Sequence, residues 1–238
     1  FIGTGVATML GTKLGSGYGA GYLTTAIAFG LSMTVMYYIF SRISGGHFNP
    51  AISIGMLIDG RLDKKDIAGY IIAQIVGAFI ASLALSGLII YSGSSGLGAN
   101  TLYMDDVILT LIIEIVLSFV LVLAFIEASN QSCHIGTLMV GGSLTLVSLL
   151  GISFTGGGFN PARSLAPAIV KCFSGDTSSL EDVWVFVVAP IVGAVLAALV
   201  YGFICGDKPE VDEADKEASG ADDIDEKTSE ADKTEANE

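Results

Sequence analysis

Ser44-Gly-Gly-His-Phe-Asn-Pro-Ala51 and Thr155-Gly-Gly-Gly-Phe-Asn-Pro-Ala162 are two copies of nearly the same phrase. Each follows a long apolar run, and each opens an apolar stretch too short to cross a bilayer. Asn is a preferred helix N-cap, Pro is favoured at the first helical position, and the glycines just before permit the turns of a re-entrant loop. Each copy therefore reads as a helix start, giving short helices over about Pro50 to Leu57 and Pro161 to Val170. A single Asn-Pro-Ala is weak, since a given tripeptide arises by chance roughly once per several thousand positions. Two copies in matched context are a repeat, and a short Gly/Pro-interrupted segment in each half points to a pathway at the bilayer midplane.

Crossing the hydrocarbon takes about 20 apolar residues as a helix. Five runs qualify: Tyr22 to Phe40, Ile67 to Tyr91, Val107 to Ile126, Ile135 to Phe154 and Val183 to Ile204. Ser92–Gly98 and Ser174–Ser179 read as surface loops. The apolar run from Phe1 to Leu10 is too short to span and is expected to be a truncated first helix, which makes six spans. The expected fold is an all-α membrane protein of six transmembrane helices plus two re-entrant half-helices. An odd number of spans per half inverts the second copy, so the half-helices enter from opposite faces and meet. Their N-termini bring two positive dipole ends and free N–H groups together, a barrier to protons and cations. Non-helical backbone at that depth is tolerated where it lines a cavity, so a pore is expected, with the carbonyls of Gly45, Gly46, His47, Gly156 and Gly158 as acceptors along it.

The net charge of -13 belongs mainly to the segment beyond Gly206, since acids and bases nearly balance before it. Residues 1–206 thus read as a channel domain, with repeat halves of about 1–91 and 105–206, and 207–238 as a disordered acidic tail. No basic patch suits nucleic acid. Cys133, Cys172 and Cys205 are scattered without metal-ligand spacing, and no cofactor, metal or catalytic constellation is expected. Arg42, Arg61, Lys64, Lys65 and Lys208 fall on one side of the spans, Lys13 and Lys171 on the other, so both termini are expected in the cytoplasm of a cell membrane protein.

The two motifs Asn49-Pro50-Ala51 and Asn160-Pro161-Ala162, the preceding Ser-Gly-Gly-His, the following Arg163-Ser164, and Glu114 within an apolar helix together resemble the aquaporin, or major intrinsic protein, family. The resemblance covers the chain from Phe1 to about Cys205 and implies a lipid-embedded homotetramer with one pore per subunit. It places the family's filter at Phe29, Ser148, Gly157 and Arg163. Arg163 is also a functional candidate in its own right, as an intramembrane charge. Small residues at Ser148 and Gly157 suggest a wider opening than in strict water channels, which usually carry His at the position of Ser148. Ser164 after the filter Arg departs from the glycerol-conducting branch, which typically has Asp there, and Val187 departs from the water-channel pattern. Glu114 is expected to be a structural carboxylate accepting from the second re-entrant loop, and His47 a loop-ordering residue. The expected function is passive conduction of water and small uncharged solutes with exclusion of protons and ions. The alternatives are a facilitator specialised for glycerol, urea or another neutral solute, and a membrane scaffold with a vestigial pore.

Overall fold

The computed structural model describes residues 1–13, 18–89 and 97–206. Among these the chain forms α1 (Ile2–Lys13), α2 (Tyr18–Ser44), α3 (Pro50–Ile58), α4 (Ile67–Ile89), α5 (Val107–Ala128), α6 (Cys133–Thr155), α7 (Pro161–Cys172), α8 (Ser178–Asp182) and α9 (Val185–Cys205), with a 3-10 turn at Tyr103–Asp105. Among the described residues, five helices are long and apolar enough to cross a membrane. α1, at 12 residues, is not among them, and α3 and α7 have 9 and 12 residues. The tail at 207–238 and most of the loop expected at Ser92–Gly98 lie outside the described residues.

α2, α5 and α6 run somewhat longer than hydropathy alone indicates. α2 continues past Phe40 through Ser41, Arg42 and Ser44, because a polar last turn can reach the interface without breaking the backbone ladder. The loop expected at Ser174–Ser179 gives way to α8 at Ser178, where Asp176 accepts from the Ser178 backbone N–H at 3.1 Å and from its hydroxyl at 2.6 Å.

In a bilayer, helix association rests on close packing rather than on apolar burial, and small residues allow it. α2 and α6 cross at Gly30 and Gly141, which stand at the same spacing before their motif Asn residues. A methyl on Gly30 would lie 2.6 Å from the Gly141 carbonyl oxygen, and one on Gly141 2.8 Å from that of Gly30. The same contact is supported in both halves by a threonine one turn on. Thr34 donates to the Gly30 carbonyl at 2.9 Å and Thr145 to that of Gly141 at 3.0 Å. The second close approach joins α9 to α5, where a methyl on Gly193 would lie 2.5 Å from the Ile115 carbonyl oxygen.

These crossings leave room for α3 and α7 within the bundle. α3 packs on α4 and α5, α7 on α4 and α8, and the two half-helices meet each other. Their outer ends are tied down by cations. Arg61 donates to the Ile126 carbonyl at 3.1 Å, to Ser129 at 2.5 Å and to Asn130 at 2.6 Å, pairs with Asp59, and stands over the Tyr201 ring. Lys171 pairs with Asp176 at 2.9 Å and donates to Ser179 at 2.8 Å.

Candidate functional site

Asn49 and Asn160 are the N-caps of α3 and α7, each in extended backbone followed by Pro. The Asn49 side-chain oxygen accepts from the Ala51 N–H at 2.9 Å, and that of Asn160 from Ala162 at 3.0 Å and Arg163 at 3.2 Å. The amide nitrogens cross over between the halves. Asn49 donates to the Phe159 carbonyl and Asn160 to the Phe48 carbonyl, both at 2.9 Å. Each bond uses one amide hydrogen and leaves a second, and both residues line the same cavity.

The carbonyls reach across because the backbone before each Asn is left-handed at matching positions. Gly45 and Gly46 have φ of 70 and 63, and Gly156 and Gly157 of 79 and 75, values that a side chain would strain. Phe48 and Phe159 adopt φ of 49 and 31. For a bulky residue this is an outlier that the surroundings must enforce. At Phe159 they do so through both backbone groups, since its N–H donates to Glu114 at 2.8 Å while its carbonyl accepts from Asn49.

Glu114 is fully buried, and its carboxylate accepts from Thr155 at 2.6 Å and from the backbone N–H groups of Gly158 at 3.0 Å and Phe159 at 2.8 Å. The carboxylate expected from the sequence to brace the second loop is thus placed against it. His47 bonds Ser53 of its own half-helix at 3.1 Å, its ring lying 5.1 Å from Tyr70 and 5.7 Å from Phe125.

The cavity encloses about 60 Å³. At about 10–15 Å³ for each water centre, that is room for a short file of waters. The apolar lining includes Phe29, Met33, Leu121, Leu144 and Ile152, and the polar lining comes from His47, Asn49, Ser148, Gly157, Gly158, Asn160 and Arg163. The four residues expected as a filter therefore share one cavity with the Asn pair. Gly45, Gly46 and Gly156 are not among its lining residues, and the Gly156 carbonyl accepts from Arg163 at 3.1 Å. Arg163 stands 5.5 Å from the Phe29 ring centroid, within cation–π range. Its Nε and the Ser148 hydroxyl are buried without a hydrogen-bond partner among the described residues.

Besides the aliphatic lining, two residues that shape this site are absent from the sequence expectations. Asn100, in the loop before α5, is buried, accepts from Arg163 at 2.8 Å and donates to the Thr155 carbonyl at 3.0 Å. An Asn in a Gly-rich loop carries no signal of such a role. Phe159 is the other. Its ring packs beside Gly157, where a methyl would lie 3.2 Å from it and 3.3 Å from Ile152. Among the described residues, no group of three or more His, Cys, Asp or Glu could hold a metal ion.

Comparison with known proteins gives the same picture. Glycerol uptake facilitator protein-like 6 of Lactiplantibacillus plantarum is 37% identical over 206 residues, spanning 83% of this chain and 92% of that protein. Aquaporin Z of Brucella melitensis is 36% identical over 197 residues, spanning 78% and 84%. The crystal structure of the aquaglyceroporin from Plasmodium falciparum shares the fold, with a TM-score of 0.72 at 23% identity, over 86% of this chain and 93% of that one. The family described as Major intrinsic protein matches residues 1–201, both motifs and the braced loops included. With two opposed half-helices inside a bundle of apolar spans, this chain belongs to the major intrinsic protein family.

Proposed function

We propose that the cavity is the narrow part of a passive membrane channel that conducts water and small uncharged solutes and excludes protons and ions. The observation that carries this is the crossed hydrogen bonding of Asn49 and Asn160, which holds two helix N-termini facing one another beside a lined cavity. Facing positive helix ends repel cations, and a water accepting from both amides cannot keep its place in a proton-conducting chain. Arg163 adds a fixed charge, and Phe29, Ser148 and Gly157 surround it as the filter.

Solute range follows from the diameter and the hydrogen-bonding groups at the filter. Ser148 and Arg163 line the cavity together with Phe29, whose ring centroid lies 5.5 Å from the guanidinium, so a hydroxylated or amide solute would meet polar and apolar groups there. That arrangement favours passage of glycerol- or urea-sized molecules besides water. Ser148→His adds bulk where the filter is small and is expected to reduce glycerol flux several-fold while retaining most water flux, read as water, glycerol and proton fluxes on the same proteoliposomes. A parent that already excludes glycerol sinks the solute reading and leaves a water channel.

The channel is taken as residues 1–206 and the acidic segment 207–238 as a cytoplasmic tail. The basic residues Arg42, Arg61, Lys64 and Lys65 at one set of span ends support cytoplasmic termini in the cell membrane. A homotetramer with one pore per subunit rests on family membership alone.

A further inference from the structure

We propose that the ring of Phe159, held in a notch that Gly151 leaves in α6, sets the width of the path between the filter and the Asn pair. This rests on the reading of the cavity as the conduction path. The ring lies against Gly151, where an added methyl would overlap its Cζ and stand 2.6 Å from its Cε1. It is buried among Leu117, Leu121 and Val147 and also borders the cavity.

The backbone of Phe159 cannot follow a displaced ring. Its N–H is held by Glu114 and its carbonyl by Asn49, and φ is left-handed. A ring pushed out of the notch can only turn about its own side-chain bonds. Leu117 stands 3.1 Å from a methyl on Gly151 and crowds the notch further, while the cavity that the ring borders offers it space.

The first half of the repeat shows the alternative. Phe48 holds the same place before Asn49, and Phe40 stands where Gly151 stands in the second half. With no notch there, the two rings meet edge to face at 5.8 Å, and Phe48 stays 37% exposed while Phe159 is 4% exposed. The notch therefore decides whether this aromatic enters the wall or remains in the lumen, and glycine at 151 is its cause.

The test compares glycerol and water permeability in proteoliposomes of the parent, Gly151→Ala, Phe159→Val and the double variant. Gly151→Ala is expected to lower the glycerol-to-water ratio several-fold, and Phe159→Val to raise it. In the double variant the added methyl has no ring to displace, so its ratio should match Phe159→Val, a non-additivity that general destabilisation does not produce. An unchanged ratio in Phe159→Val overturns the proposal, as does a Gly151→Ala effect that persists in the double variant. If Gly151→Ala fails to assemble, Phe159→Val decides alone. A parent that passes no water overturns the channel reading, and this inference with it; a parent that conducts with ratios unmoved overturns this inference only.

Discussion

Two residues before its motif Asn, the first loop carries His47 and the second Gly158, and the two loops are braced in opposite ways from that one difference. His47 reaches forward to Ser53 of its own half-helix, and Gln74 of α4 donates to the same hydroxyl at 2.8 Å, so the first loop is held from within its half and from α4. Gly158 has no side chain, and a methyl there would lie 2.5 Å from Glu114. The space goes to the carboxylate, which accepts from three donors of the second loop and from none of the first. Ser164 stands at the spacing of Ser53 but its hydroxyl finds no partner among the described residues, because the imidazole that would reach it is missing. Nearly identical sequences can thus be fixed by an imidazole–hydroxyl hydrogen bond in one copy and by a buried carboxyl group in the other.

The sharpest way to break this comparison is to remove each brace in turn. Glu114→Leu leaves the Gly158 and Phe159 N–H groups unpaired in the interior, at about 1–3 kcal/mol each, while the Thr155 hydroxyl keeps the Gly151 carbonyl as acceptor at 3.1 Å. His47→Ala removes one neutral bond worth about 0.5–1.5 kcal/mol and leaves Ser53 paired with Gln74. The folded yield and the thermal midpoint in detergent should fall much further for Glu114→Leu than for His47→Ala. Equal losses would mean that the two loops are braced alike. Normal yield with abolished conduction in Glu114→Leu would give the carboxylate a transport role instead.

A second effect, of intermediate size, concerns Arg163, which bonds the second of these loops and not the first. Asn100→Ala removes a hydrogen bond to a charged group, worth about 1.5–3 kcal/mol, and leaves the guanidinium tied by side chain only to the Gly156 carbonyl. Solute size discrimination should relax while water conduction continues. Asn100→Asp, which keeps the acceptor, should retain discrimination even though its bond to Thr155 is lost. Urea and glycerol fluxes measured beside water would settle it, and an unchanged cut-off in the alanine variant would show that Arg163 needs no second tether.

The smallest effect is expected at the outer end of α7. The Ser178 hydroxyl, the Lys171 ammonium and the Ser178 N–H lower the Asp176 pKa from 3.8 to about 2. A carboxylate lowered in this way adds stability that is fully present above its unfolded value and is lost as the pH falls through the folded one. The dependence therefore lies between 3.8 and about 2. Asp176 is exposed, so Asp176→Asn should barely move the midpoint at neutral pH and should flatten only that acid limb. A large loss at neutral pH would show that Lys171 depends on this partner more than on Ser179.

Some of this was legible in the sequence, and the reason is local. Asn, Pro and the preceding glycines specify a left-handed turn into a helix start within a few residues, and apolar length specifies a span, so the two half-helices, the long spans and the inverted repeat follow from the chain alone. Glu114 was legible for the same kind of reason, since a lone carboxylate in an apolar helix must find donors. Asn100 was not, because its partner Arg163 is distant in the chain and nothing near Asn100 requires one. The packing around Gly157 was not legible either, because side-chain volume is read one residue at a time in a sequence. In the fold, Phe159 fills the space there from two residues away, by way of a notch at Gly151 on another element. What tertiary packing decided is therefore which groups of distant segments share one small volume, and the sequence by itself determined the local turns and helix starts that bring them there.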